Sequence, residues 1–186
     1  MRNQYFVLLF LFLFSCDGGK KILPKSTGSV NEIIVVVSDA LWEKYPGKAV
    51  KEIFAKDYPG LQQSEPIFNI IRIKPSDFTT IFKTHQNIIL ISENGEEGKK
   101  NNFWASPQIV VGLQWNTESD KTQLVEKCKN YAAIFYQNHL QKVTEKISQS
   151  NNTKNNNFGI DVKIPSEYTI VFDSENLFWT TYNPQK

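Results

Sequence analysis

Few side chains in this sequence are of a type that does chemistry, and their spacing limits what each can do. His85 and His139 are the only histidines, and Cys128 is the only cysteine after Cys16. His139 stands beside Leu140 in a long apolar-periodic stretch and His85 just ahead of an isoleucine-rich run, so they belong to different elements and read as structural histidines. Cys128 falls inside the same periodic stretch, where a thiol reads as a small buried hydrophobe. A closed transition-metal site would have to recruit carboxylates, and no clustered Asp and Glu spacing offers them, so no metal or cofactor is expected. No nucleophile-elbow, zincin, EF-hand or dinucleotide pattern occurs. The run from Gly95 to Lys100 imitates the end of a phosphate-binding loop, but its glycines stand too close together and Lys100 occupies the place of the Ser or Thr that would hold magnesium. Catalysis by carboxylates alone leaves Asp39, at a strand exit, and Glu65, just before Pro66; an envelope hydrolase using such acidic residues is the competing function. Trp42, Glu65 and Trp104 lie in loops at strand ends, where a rigid scaffold places binding groups, and are expected to meet as one ligand-binding surface. The alternative is that both tryptophans fill core gaps and Glu65 faces water.

The second kind of chemistry is modification of Cys16. Arg2 supplies a positive n-region, residues 5–14 form an unbroken apolar run, and Ser15-Cys16 follows. At ~1.5 Å per residue, such a run covers about half of a ~30 Å hydrocarbon core, too short to span it. Leu13-Phe14-Ser15-Cys16 resembles a bacterial lipobox, in which the cysteine becomes the N-terminus and carries acyl chains such as palmitate. Phe14 departs from the small or aliphatic residue usual there. An ordinary secretory signal cut near Ser15 is the other possibility. The expectation is a signal peptide over 1–16 and a membrane partner engaged through a lipid at Cys16, since stable anchoring takes more than one chain at ~0.8 kcal/mol per buried CH₂. The protein is then a cell-envelope lipoprotein. Asp17 is followed by Gly18-Gly19-Lys20 rather than an acidic cluster, which favours a periplasm-facing position.

The elements that must position these residues follow from composition and pattern. The chain has 186 residues, 40% hydrophobic, and a formal charge of +2. A nearly neutral chain without a long basic stretch gives no reason to expect nucleic acid. Cys128 would be alone once Cys16 is acylated, so packing rather than a disulfide must hold the core. Residues 17–29 are polar and Gly/Pro-punctuated and read as a flexible tether. Ile33-Ile34-Val35-Val36-Val37 reads as a central strand buried on both faces. Ser38 and Asp39 can cap a short helix near Leu41, and Pro46-Gly47 opens a second helix with Val50, Ile53 and Phe54 inward. Residues 67–73 and 87–92 read as strands, with a short helix through Phe78, Ile81 and Phe82 between them. Residues 93–103 read as a loop, and 108–115 as a strand with one drier side. Thr117 and Asp120 resemble a capping box opening the longest helix, whose stripe runs from Leu124 to Leu140, Val143 and Ile147. The Asn-rich segment 150–157 reads as a linker, and 161–164, 168–172 and 177–181 as short strands of a second module over 158–186 whose apolar face and edges are left open.

Several short segments in order, Glu65-Pro66-Ile67-Phe68, Ala105-Ser106-Pro107-Gln108, Phe158-Gly159-Ile160, Ile164-Pro165 with Tyr168, and Asn176-Leu177-Phe178-Trp179, resemble the landmarks of a Bacteroidota lipoprotein family known as domain of unknown function 4837. The resemblance implies a lipoprotein of no known activity, and a second half continuing past the last landmark, so that the β module here is incomplete. The expected architecture is α+β: a mixed sheet over 30–149 with a long C-terminal helix, in a ferredoxin-like split βαβ arrangement with an inserted helix, plus the short β module. The expected function is non-catalytic binding or assembly, with an envelope protein, glycan or lipid as partner.

Overall fold

The computed structural model describes residues 22–117, 120–149, 152–155 and 161–182. The signal segment 1–16 with Cys16, tether residues 17–21, and the Phe158-Gly159-Ile160 segment lie outside the described residues.

Strand β1 (Glu32–Val36) lies inside a five-stranded sheet of order β2-β1-β3-β5-β4, with β2 (Asn69–Ile73) and β3 (Asn87–Ser92) parallel to it on either side. β5 (Ile109–Gln114) runs parallel to β3, and the edge strand β4 (Gly98–Asn101) runs antiparallel to β5. Parallel neighbours need crossovers. Helices α1 (Asp39–Trp42) and α2 (Tyr45–Phe54) carry the chain from β1 to β2; a 3₁₀ turn (Pro75–Asp77) and α3 (Thr80–Lys83) carry it back to β3. Crossovers are right-handed, so steps in opposite directions along the sheet place their helices on opposite faces. Ile33, Val35 and Val37 accordingly pack with Val50, Phe54 and the long helix α4 (Lys121–Ser148), while Ile34 and Val36 pack with Phe78, Phe82 and Trp104 on the other face. At roughly 1.5–3 kcal/mol for each buried Val or Ile, β1 anchors both layers.

Asp120 opens α4 by accepting the backbone N–H groups of Asn116 and Thr117 at 3.0 Å each, the return half of the expected capping box. Leu124, Cys128 and Phe135 are then buried against the sheet. At 28 residues the helix is ~42 Å long, about twice a six-residue strand at ~3.3 Å per residue. It therefore overshoots the sheet. Leu140 and Val143, expected in the buried stripe, lie beyond the core and are exposed.

The chain is α+β with a mixed sheet and a long helix, as its pattern indicates. The ferredoxin-like arrangement does not occur. A split βαβ also sets its first and third strands side by side but flanks them with antiparallel strands, whereas here β2 and β5 both run parallel to that central pair. The short segment 75–83, crossing the second face, returns the chain so that β3 enters in the same direction as β2. Three boundaries also differ from the sequence reading. The 93–103 loop contains β4, an edge strand with no apolar residue in Gly-Lys-Lys-Asn to announce it. The end of the tether is docked: Ser26 N–H donates to the Ser106 carbonyl (3.1 Å), Thr27 N–H to that of Thr84 (2.9 Å), and Gln86 N–H to that of Thr27 (2.9 Å). The Asn-rich segment supplies β6 (Asn152–Asn155), paired antiparallel with β7 (Asp161–Ile164), because backbone pairing needs no apolar side chain. β8 (Tyr168–Asp173) and β9 (Phe178–Tyr182) form a further hairpin with Ile170, Val171, Phe172 and Trp179 exposed.

Candidate functional site

In an open, mostly parallel sheet, ligand sites fall outside the carboxyl ends of the strands where the strand order reverses, because the loops leaving two neighbouring strands turn to opposite faces and part. Here that place lies between β1 and β3. A crevice of about 480 Å³ opens there, lined by Ser38 after β1, Leu41 of α1, Pro75 after β2, and Ile91, Ser92, Glu93, Asn94 and Gly95 at the end of β3. Each wall has a local cause. Ser38 is the N-cap of α1, its Oγ accepting the Leu41 N–H at 3.3 Å. The 93–95 turn is tied down from β5: Trp115 N–H donates to the Ser92 carbonyl at 3.2 Å, and the Gln114 side-chain amide donates to the Gly95 carbonyl. A Cβ at Gly95 would meet Ser92 Oγ, a hydroxyl that rotation about its own Cα–Cβ bond can move aside, so the turn lies close against the end of β3.

The crevice thus combines an apolar patch (Leu41, Pro75, Ile91) with hydroxyls, one amide and the Glu93 carboxylate. That composition orients a small polar molecule with one apolar face. At its rim Asp39 is committed elsewhere. Its carboxylate lies 2.9 Å from Lys74 Nζ and also pairs with Arg72, and the Lys74 hydrogen bond, then that of Arg72, hold its pKa below the ordinary carboxylate value. Arg72 and Lys51 in turn stand over the Trp42 ring, at 5.5 and 4.4 Å from its centroid.

The structure does not bring Trp42, Glu65 and Trp104 together. Trp42 is half-buried against the first face, by the carboxyl ends of the strands. Trp104 packs on the opposite face, edge-on to Phe78 and Phe103, and lines a cavity of only about 90 Å³. Glu65 is exposed ahead of β2, at the amino end of the sheet, where its carbonyl accepts the Tyr58 N–H at 2.9 Å. The expected single surface fails because the β1–β2 crossover carries residues 42 and 65 to opposite ends of the sheet and the 102–108 loop falls on its other face.

The two histidines and Cys128 have structural places. His85 is buried with Nε2 3.4 Å from a Glu32 carboxylate oxygen; His139 Nε2 lies 3.1 Å from the Tyr58 hydroxyl, and burial pulls its pKa down. Burial pushes the Cys128 thiol up to about 12, which leaves it protonated and unreactive. Among the described residues, no group of three His, Cys, Asp or Glu side chains is gathered as metal ligands would be. Also among the described residues, no helix is long and apolar enough to cross a membrane. Ser38, Ser92, Glu93 and Asn94 escaped sequence reasoning. The one available signal was that each lies at or just past the end of a strongly apolar strand.

Fold and crevice define an α+β domain built on a mixed, mostly parallel sheet with helices on both faces and a solvent-open site at the strand carboxyl ends. By its match over residues 26–149, the chain belongs to the family Domain of unknown function (DUF8532). This overturns the resemblance to domain of unknown function 4837: the first two landmark segments lie inside the matched span of a different family, and the other three lie beyond it. The Bacteroidota origin and the longer second half drawn from that resemblance lose their support. The match begins within the docked end of the former tether and stops at the end of α4. No curated protein and no solved structure matches the chain.

Proposed function

We propose that this protein is a periplasm-facing cell-envelope lipoprotein, anchored through Cys16, whose domain binds a small polar ligand of the glycan class in the carboxyl-end crevice without transforming it. The observation that carries the reading is the position and lining of that crevice: about 480 Å³ at the reversal of strand order, apolar on one side and rimmed by hydroxyl, amide and carboxylate groups. A sugar presents the same mixture, a C–H face and a ring of hydroxyls. A concave site of this size suits a small molecule better than the broad, flat contact of a protein partner. Of the two carboxylates that a hydrolase would have used, Asp39 is held in ion pairs with Arg72 and Lys74, and Glu65 stands exposed at the other end of the sheet.

Two experiments address the two halves of the proposal. Labelled palmitate should enter the wild-type protein and be absent from Cys16→Ser; label retained in that variant would refute the anchor. For the crevice, the full-length protein in detergent would be screened on an array of envelope glycans beside Asn94→Trp, which fills the crevice from an exposed position at its wall. Binding that disappears in Asn94→Trp with an unchanged melting temperature is the expected result. Glycan binding indifferent to that substitution, or turnover of the bound glycan, would refute the reading.

A further inference from the structure

The opposite end of the sheet holds a second pocket, whose origin is the overshoot of α4. Past the amino ends of the strands the helix presents Asn138 and Lys142, four residues apart and so on one face. Opposite them stand Gln86, just before β3, Ile109 at the start of β5, and the 101–108 segment after β4. These elements enclose about 250 Å³ lined by Gln86, Asn101, Asn102, Pro107, Gln108, Ile109, Asn138 and Lys142.

The floor is rigid because Gln108 is fully committed. Its Oε1 accepts the N–H groups of Trp104 (2.8 Å) and Ala105 (3.2 Å), and its Nε2 donates to the carbonyls of Lys83 and His85 (2.7 Å each). Its backbone N–H donates to Asn102 Oδ1 at 3.0 Å. Around this floor stand unused donors. Gln86 is 7% exposed, and its Nε2 is buried with no hydrogen-bond partner among the described residues, so a turn of its amide toward the pocket would give an unused donor an acceptor. With Asn102 Oδ1 occupied, that residue has its amide donor to offer, and Asn101 and Asn138 bring two more amides. Lys142 forms no ion pair among the described residues, and partial burial draws its pKa down. Among the described residues, no carboxylate lines the pocket.

We propose that this amino-end pocket is a second binding site that takes the carboxylate of a small, single-ring polar molecule, with Lys142 as counter-charge and the amides of Gln86, Asn102 and Asn138 as hydrogen-bond donors. One ammonium balances one carboxylate. A phosphate dianion calls for more positive charge than this pocket holds, and among the described residues no arginine fork or helix N-terminus lines it. The volume limits the ligand to less than drug size. The site is independent of the carboxyl-end crevice and separated from it by the length of the strands.

The test is calorimetric titration of the full-length protein in detergent with D-glucuronate, with D-glucose and inorganic phosphate as comparison probes. Glucuronate should bind saturably, glucose at least tenfold more weakly. Lys142→Met, at a partly exposed helix position that tolerates an apolar chain, should weaken glucuronate at least tenfold without moving the melting temperature, while Asn94→Trp at the other end should leave it unchanged. No binding of glucuronate, equal binding of glucose, or an unaltered affinity in Lys142→Met overturns the proposal. Tighter binding of phosphate overturns the carboxylate assignment. Loss of glucuronate binding in Asn94→Trp would assign the sugar acid to the crevice and overturn the second site.

Discussion

Gly28→Ala should be among the most damaging single-methyl substitutions in the protein, although residue 28 lies in a segment whose composition suggests a tether. Gly28 has φ +79°, and a Cβ added there would come within 2.5 Å of His85 Cδ2 and Cε1 and closer still to Nε2. The left-handed backbone alone costs a non-glycine residue about 1–2 kcal/mol. The His85 ring cannot step aside cheaply, since it is 7% exposed and faces the Glu32 carboxylate at 3.4 Å; overpacking of this kind costs about 1–3 kcal/mol more. The expected loss is therefore about 2–5 kcal/mol by urea unfolding, with a fall in melting temperature of about 5 °C or more. Gly60→Ala separates the two contributions, because Gly60 has φ +86° and nothing within 4 Å of the added methyl. It should cost only the backbone part. A double-mutant cycle with His85→Ala should recover the steric part as a coupling energy. If Gly28→Ala destabilises no more than Gly60→Ala, or if His85→Ala gives no coupling, residue 28 is not packed on the domain and the docking of this segment is refuted.

Gln108→Leu should cost at least about 3 kcal/mol in chemical denaturation, because it leaves the N–H groups of Trp104 and Ala105 and the carbonyls of Lys83 and His85 buried without their partner; a variant as stable as wild type would contradict the network. Asp39 has its folded-state pKa lowered by Lys74 and Arg72, so its stabilising effect is present above the unfolded carboxylate value and disappears as pH falls through the lowered folded one. Asp39→Asn should therefore reduce stability at neutral pH and flatten the acid limb of a melting-temperature profile below about pH 4; a profile parallel to wild type would count against the ion pairs. Cys128, with its thiol pushed up to about 12, should resist iodoacetamide in the native protein and react once urea is added, as followed by mass spectrometry; rapid native labelling would contradict its burial.

Much of the scaffold can be read from the residues in order. The β-branched run at 33–37 has no polar position to face water, so it had to be central, and it lies between two parallel neighbours. The 87–92 strand, the Pro46-Gly47 helix start and the Asp120 contacts with Thr117 are equally local, each set by side chains within a few residues of the feature they produce. β4 escaped because an exposed edge strand buries nothing and so leaves no apolar mark.

The sites depend on contacts that no local pattern encodes. Ser38, Pro75 and Glu93 meet only because parallel register aligns the exits of three strands. Asn138 and Lys142 reach Gln86 and Asn102 only because a helix rising ~1.5 Å per residue, 28 residues long, outruns strands of six. Sequence alone determined that the apolar runs at 33–37 and 87–92 must be buried, since transfer from water is a property of each side chain. Which polar groups face one another was decided by direction, register and element length, and those emerge only when the buried segments pack together.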